Sequence, residues 1–167
     1  RRSLEKGLAP DTLEKEVKAA TKVLGIPPSN LHLFDYDVRN FYAFRQSILE
    51  DMVRIKKELQ PEVVFVPCSS DLHQDHQVIH NEGLRAFKDV SVLGYELPWN
   101  NLNFQTSCFI KLKEKHINKK VSALKEYKSQ ANRKYLNEGF LKGLAIARGV
   151  QAGTEYAEAM EVLKVIY

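Results

Sequence analysis

Four titratable side chains within six residues form the most reactive stretch of the sequence, directly after an apolar run. The stretch is "PCSSDLHQDH", residues 67–76, and its acidic and imidazole members are Asp71, His73, Asp75 and His76. Imidazole is the commonest metal ligand in proteins, and it also exchanges protons near neutral pH. His73 and His76 lie three residues apart at a predicted loop-to-helix junction, so both rings can face one pocket. The spacing therefore predicts a metal-binding or catalytic site.

Asp75, between the two histidines, has two compatible interpretations. It can accept the N–H of a ligating imidazole and fix its tautomer, which is the usual support around a metal-bound histidine. It can also cap the helix that follows, because a carboxylate accepts the free N–H groups of a first helical turn.

A third histidine, His80, lies four residues after His76 and on the same face of the predicted helix. A self-contained metal set of His73, His76 and His80 is one alternative. The HxxxH spacing lacks the glutamate at its second position that marks metalloproteases. This difference favours His80 as a partly exposed helix histidine.

Strands alternate with helices along the chain. The continuous run "EVVFVP" is typical of a parallel strand buried on both faces, and the alternation predicts an α/β fold with a Rossmann-like, mostly parallel sheet flanked by helices. Such sheets bind ligands at the carboxyl ends of their strands, which is where residues 67–76 fall. Predicted helices cover residues 11–25, 41–60, 75–89, 113–130 and 138–149, and predicted strands cover residues 30–37, 62–67, 90–97, 106–112 and 160–167.

A second polar cluster, "GYELPWNN", follows another predicted strand. Trp99 can stack against the ring of a ligand, and Asn100 or Asn101 can bind hydroxyl groups. The expected substrate contacts are Asp71, Glu96, Trp99 and Asn100. The alternative is a plain turn, because Pro98 and consecutive asparagines are ordinary turn residues.

The composition is that of a soluble globular domain. The 167 residues suffice for one domain with a core, and no run approaches the ~18 apolar residues that a membrane span requires. The net charge of +4 is too small to indicate nucleic acid. Lysine-rich residues 111–120 fit a solvated helix face or, alternatively, an anion-binding surface. Cys68 and Cys108 form neither a disulfide framework nor a CxxC pair, so we expect free thiols and a cytoplasmic location.

Residues 65–87, "FVPCSSDLHQDHQVIHNEGLRAF", resemble the second motif of the LmbE-like family, which includes the N-acetylglucosaminyl-phosphatidylinositol de-N-acetylases (PIG-L). Further segments resemble a bacterial-type branch of that family in the same order: "APDTLEKEVKAATKVLGI", "FRQSILEDMVRIKKELQPEVVFVP", "LGYELPWNN", "EYKSQ" and "YAEAMEV". The resemblance covers nearly the whole chain. It implies a single LmbE-like deacetylase domain over residues 1–167, in a family of mostly zinc hydrolases that deacetylate N-acetylated sugars.

The resemblance also implies roles for the reactive residues. His76 would bind zinc, or another divalent metal that histidine and carboxylate ligands accept. His73 would stabilise the oxyanion and protonate the leaving amine, and Asp75 would orient a neighbouring imidazole. The expected partners are a small N-acetylated sugar and, in a homo-oligomer, further copies of the chain, without nucleic acid or a membrane span.

The sequence departs from the family at the first motif. Members carry His-Pro-Asp-Asp-Glu after their first strand, whereas no histidine here precedes His32. The opening "RRSLEKG", without Met, predicts that this strand and motif lie upstream of residue 1 and that the domain is truncated. With one expected ligand, the 167 residues alone are predicted to be inactive. A non-catalytic sugar-binding or regulatory module with the same fold is the alternative.

Overall fold

A computed structural model describes residues 7–167 of the chain. The helices within these residues are α1 (Thr12–Leu24), α2 (Arg45–Leu59), α3 (Gln74–Ala86), α4 (Glu114–Leu124) and α5 (Glu138–Ala152). The strands are β1 (Val63–Pro67), β2 (Ser91–Tyr95), β3 (Cys108–Leu112) and β4 (Tyr156–Lys164). The chain divides into two compact units: a first unit of residues up to Asp35 with Ile110–Glu158, and a second unit of Tyr36–Phe109 with Ala159–Tyr167.

The first unit is built around α1, α4 and α5. Ile117 and Val121 of α4 pack with Leu141 and Ala145 of α5 in its buried core. Each pair is spaced by four residues, which places both members on one face of their helix. Helix α1 ends at Gly25, as predicted, with φ at 80°. Glycine adopts this left-handed conformation without steric cost, so the helix ends there.

The second unit places two helices against a pair of parallel strands. Strands β1 and β2 pair in register from Val63 with Ser91 to Pro67 with Tyr95. Buried Val66 on β1 and Val92 on β2 share a core with Phe87, which follows α3. Side chains of α2 also pack against this core. The unit therefore holds the carboxyl ends of β1 and β2 side by side.

The predicted α/β architecture is confirmed, including a strand near the end of the chain. The sheet has the order β1-β2-β4-β3. Strand β4 runs antiparallel to β2, with Gly94 opposite Glu161, so the described sheet is mixed rather than mostly parallel. An antiparallel strand on an otherwise parallel sheet is common in folds of this class.

The predicted strand at residues 30–37 is wrong. Residues 31–37 form no regular structure, and the side chains of Leu33 and Phe34 are 47% and 43% exposed. Alternating leucines favour a strand only where one face becomes buried, which does not happen here. The predicted helix at residues 41–60 is confirmed, except that its first turn, Phe41–Phe44, is a 3-10 helix.

Two further expectations concern truncation at the N-terminus and the presence of a membrane span. The opening residues 1–6, on which the predicted truncation depends, lie outside the described residues, and the single domain over residues 1–167 stays a prediction. Between residues 7 and 167, no helix is long and apolar enough to span a lipid bilayer.

Candidate metal and catalytic site

Strand β1 ends at Pro67 and leads into a short turn. The backbone N–H of Asp71 donates to the carbonyl oxygen of Cys68 at 3.3 Å, and the N–H of Cys68 donates to the carbonyl of Tyr95 at 3.3 Å. His73 then occupies the N-cap position of α3. The reactive stretch therefore lies at the carboxyl end of β1, as predicted for a ligand site in an α/β sheet.

Asp71 and His76 form the central contact of this region. Nδ1 of His76 lies 2.8 Å from Oδ2 of Asp71, and Oδ1 of Asp71 accepts the backbone N–H of His73 at 2.8 Å. An ionised carboxylate only accepts hydrogen bonds, so Nδ1 of His76 is the donor. The neutral ring then carries its lone pair on Nε2, which is the state in which imidazole binds a metal.

His73 has the complementary pattern of hydrogen bonds. Its Nδ1 accepts the backbone N–H of Asp75 at 3.2 Å and so caps α3. Because an accepting nitrogen carries no proton, the neutral ring of His73 is protonated at Nε2. The ring stacks on that of His76, with centroids 4.5 Å apart and planes inclined by 27°. Side by side, the two imidazoles offer one proton donor and one lone pair.

Asp75 does not have the role that the sequence predicted. Its buried carboxylate accepts the backbone N–H groups of Arg39 at 2.5 Å and Phe41 at 3.2 Å. It therefore holds the loop before α2, in which Arg39 has a φ of 68°. The carboxylate that orients an imidazole is Asp71. Both oxygens of Asp71 are engaged by protein groups and its side chain is closed to solvent, and its expected contact with substrate stays a prediction.

The loop after β2 lies beside the histidine pair. The carbonyl oxygen of Asn100 accepts the backbone N–H of Leu72 at 3.1 Å, and Nδ2 of Asn100 lies 3.4 Å from Nδ1 of His76. Nδ2 of Asn101 donates to Sγ of Cys68 at 3.0 Å. Trp99, on the same loop, is 44% exposed. Of the expected substrate contacts, Asn100 is thus brought near the histidines, whereas Trp99 is an exposed residue of the same loop and Glu96 is half-buried just after β2.

His80 is tied to the fold rather than to the other histidines. Its Nδ1 donates to the carbonyl oxygen of Pro67 at 2.8 Å, because a carbonyl can only accept. Across the described part of the chain, no three histidine, cysteine or acidic side chains converge as a metal-binding group. The alternative of a self-contained set of His73, His76 and His80 is therefore wrong.

Two groups beside the site escaped the sequence-based prediction. The buried carboxylate of Glu161 accepts the backbone N–H of Ser69 at 2.7 Å and its hydroxyl at 2.6 Å. Burial, assisted by the electrostatic influence of the neighbouring Asp71 and Cys68, raises the pKa of Tyr95 to about 12. The sequence contained one weak indication of each residue. Glu161 is an acidic residue within an otherwise apolar predicted strand, and Tyr95 lies near the carboxyl end of another predicted strand.

Comparison with known proteins adds a family and a fold. Residues 5–87 match the PIG-L family, described as GlcNAc-PI de-N-acetylase. N,N'-diacetylchitobiose deacetylase from Pyrococcus horikoshii superposes with a TM-score of 0.73 at 16% identity, covering 98% of this chain and 67% of that chain. The zinc-inhibited form of teicoplanin deacetylase Orf2 gives a TM-score of 0.68 at 20% identity, covering 92% of this chain and 76% of that chain.

The same fold also carries a different reaction. GalB, the 4-carboxy-2-hydroxymuconate hydratase from Pseudomonas putida KT2440, superposes with a TM-score of 0.67 at 17% identity. This comparison covers 98% of this chain and 77% of that chain. At such identities the likeness shows the fold alone, and the reaction has to be argued from the site.

Proposed function

Because the chain belongs to the PIG-L family of GlcNAc-PI de-N-acetylases, we propose that it is the histidine-bearing part of a metal-dependent hydrolase. The proposed reaction removes the acetyl group from an N-acetylated sugar or sugar conjugate. The observation that carries the proposal is the 2.8 Å contact between Nδ1 of His76 and buried Asp71. A carboxylate behind an imidazole is the usual support of a metal-bound histidine, because it fixes the tautomer and strengthens the ligand.

The donor set fits a divalent metal in part. Nε2 of His76 would be one ligand, whereas a catalytic zinc site takes three protein ligands and keeps one position open. We propose that the remaining ligands come from residues upstream of this chain, because residues 7–167 hold no group of three ligands. When bound, zinc would supply Lewis acidity towards the amide carbonyl and lower the pKa of a coordinated water.

His73 is the proposed general acid. Its Nδ1 is occupied by the N–H of Asp75, so the proton on Nε2 is the one available for transfer. That proton can stabilise the oxyanion formed from the amide and then pass to the nitrogen of the leaving amine. Expelling an amine requires such a proton, and histidine supplies it near neutral pH. Asp75 contributes indirectly, since its backbone N–H fixes the orientation of the His73 ring.

The proposed substrate contacts lie on the loop after β2. The exposed indole of Trp99 offers an apolar face to a sugar ring, and Asn100, next to His76, offers an amide to a hydroxyl group. Glu96 completes the proposed set. Deacetylases of a chitobiose derivative and of teicoplanin share this fold, which supports a sugar or sugar conjugate as the substrate class.

Two free cysteines support a reducing, cytoplasmic setting for the proposed enzyme. Assembly into a homo-oligomer is part of the same proposal and is checked by light scattering of the intact protein.

The test is an assay of acetate release from N-acetylated sugars by the intact protein, with and without a chelator. His76→Ala should abolish turnover together with metal binding, whereas His73→Ala should slow turnover by about 10²–10⁴-fold and leave metal content unchanged. His32→Ala, at an exposed histidine outside the site, is the matched control. Turnover that survives both the chelator and His76→Ala would overturn the proposal.

A second candidate is a sugar-binding module without catalysis. The same shortage of ligands within residues 7–167 favours it. Calorimetric titration with an N-acetylated sugar separates the two. Binding that persists without metal, with no acetate released by the intact protein, identifies the module.

A further inference from the structure

We propose that Glu161, on β4, is a positioning residue that fixes the geometry of the Asp71–His76 pair. The hydrogen bonds of Glu161 go to Ser69 rather than to either histidine, and its action passes through the turn that carries Asp71. The consequence for turnover rests on the proposed function, whereas the positioning itself is a property of the fold and can be measured separately.

Glu161 holds one residue by two hydrogen bonds. Its Oε2 accepts the backbone N–H of Ser69 at 2.7 Å, and its Oε1 accepts the Ser69 hydroxyl at 2.6 Å. Glu161 is only 8% exposed. Hydrogen bonds to an ionised acceptor are stronger than those between neutral groups, and burial strengthens them further. Ser69 is therefore held in both position and orientation.

Ser69 lies two residues before Asp71 in the turn that follows β1. The turn is closed by the hydrogen bond from the N–H of Asp71 to the carbonyl of Cys68. Displacement of Ser69 therefore moves Asp71, which contacts both Nδ1 of His76 and the N–H of His73. Because a hydrogen bond weakens steeply as its distance lengthens and its angle bends, a small shift of the turn would weaken the hydrogen bond between Asp71 and His76.

Gly94 makes room for this carboxylate. It lies opposite Glu161 in the pairing of β2 with β4. A Cβ atom at position 94 would lie 2.9 Å from Cα of Cys68 and 3.2 Å from Oε2 of Glu161. Because Gly94 has no Cβ atom, the space beside it is occupied by the Glu161 carboxylate and by the first residues of the turn. The arrangement ties β4 to the turn through a contact between residues 92 positions apart.

A second buried glutamate, in the first unit, holds a serine by the same two hydrogen bonds and provides a matched control. Oε1 of Glu16 accepts the backbone N–H of Ser129 at 2.8 Å, and Oε2 accepts its hydroxyl at 2.6 Å. Glu16 is 9% exposed, close to the value for Glu161. Removal of either carboxylate should therefore disturb local structure to a similar degree, while only Glu161 is connected to His76.

The experiment follows the Nδ1 proton of His76 by NMR of the intact protein labelled with ¹⁵N at histidine. Glu161→Ala should speed exchange of this proton with water by on the order of tenfold, since its hydrogen bond to Asp71 opens more often. Glu161→Gln should restore slow exchange, because the amide oxygen can accept the Ser69 N–H while the amide nitrogen donates to the hydroxyl. Ser69→Ala removes one of the two bonds and should give an intermediate rate.

The control variant Glu16→Ala should leave the His76 proton unchanged. Equal acceleration by Glu16→Ala and Glu161→Ala would show a general loss of stability and overturn the proposal. Unchanged exchange in folded Glu161→Ala would also overturn it. If that variant does not fold, Ser69→Ala decides, and wild-type exchange there counts against the proposal. None of these readouts requires turnover, so failure of the deacetylase proposal would leave them intact.

Discussion

Nδ1 of His76 and Oδ2 of Asp71 lie 2.8 Å apart, and the Asp71 side chain is closed to solvent. This contact decides which nitrogen of His76 carries the proton. It also leaves Nε2 as the nitrogen that can bind a metal or another electrophile. The chemistry of the site therefore depends on a residue that the sequence had placed against substrate.

Replacement of Asp71 by asparagine should lower metal affinity of the intact protein by about 10–100-fold, the usual effect of losing an outer partner of a ligand. An amide can turn its NH₂ group towards Nδ1 and stabilise the wrong tautomer. Zinc titration against a chelating indicator measures the affinity. Asp37→Asn, at an exposed aspartate, should bind zinc as the wild type does, and unchanged affinity in Asp71→Asn would contradict the orienting role.

Asp75→Ala should destabilise the protein by about 1–3 kcal/mol, because the N–H groups of Arg39 and Phe41 lose a charged acceptor. Urea denaturation gives the free energy of unfolding. Hydrogen exchange should accelerate at the amides of Arg39 and Phe41 and stay slow at Gly25, whose N–H is bonded to the carbonyl of Lys22 in the first unit. Exchange rates that remain those of the wild type at both loop amides would exclude the loop-holding role.

Two glycine substitutions should have opposite signs. Gly94→Ala places a Cβ 2.9 Å from the backbone of Cys68 and should cost about 1–3 kcal/mol as an overpacked site. Gly143→Ala, inside α5 with nothing within 4 Å, should stabilise by about 0.5–1 kcal/mol. Thermal denaturation of both variants checks the pair. A stable Gly94→Ala protein would show that the turn can move without penalty.

Tyr95 should make stability sensitive to alkaline pH. Burial raises its pKa from 10.0 to about 12, so the folded state holds the phenolic proton more tightly than the unfolded state. The resulting stability is fully present below pH 10 and is lost as the pH rises towards about 12. A shift of this size corresponds to roughly 2–3 kcal/mol.

Tyr95→Phe carries no phenolic proton, so its free energy of unfolding should not include the decrease that ionisation of Tyr95 causes at alkaline pH. Urea denaturation of the wild type and the variant between pH 9 and pH 12 measures the difference. Tyr42→Phe, at an exposed tyrosine, should follow the wild type. If Tyr95→Phe and the wild type lose stability in parallel, the environment assigned to Tyr95 is wrong.

The sequence predicted those parts of the site that depend on neighbouring residues. His73 and His76 are three positions apart after a recognisable apolar strand, so their convergence at its carboxyl end follows from local spacing alone. The assignment of the orienting carboxylate was wrong because it depends on where the helix begins. The N-cap is His73, so Asp75 lies within the first turn and faces the loop of Arg39.

Other features could not be predicted from neighbouring residues, because they are contacts between segments that are far apart in the sequence. Nothing in the residues around Ser69 indicates that Glu161 will hold it, since the contact exists only after β4 has paired with β2. The failed strand at residues 30–37 shows the reverse case. Its alternating leucines had the right local pattern, but no strand within residues 7–167 pairs with them, and tertiary context decided the outcome.

The three histidines of the α3 segment each commit Nδ1 to the fold, through Asp75 for His73, Asp71 for His76 and Pro67 for His80. His76 and His80 donate through Nδ1, so their lone pair is on Nε2, whereas Nε2 of His73 carries the proton. An electrophilic reagent such as diethyl pyrocarbonate should therefore modify His76 and His80 of the native chain at Nε2 and react poorly with His73. The ratio of Nδ1 to Nε2 adducts, measured by tandem mass spectrometry, would therefore report whether this segment is correctly folded.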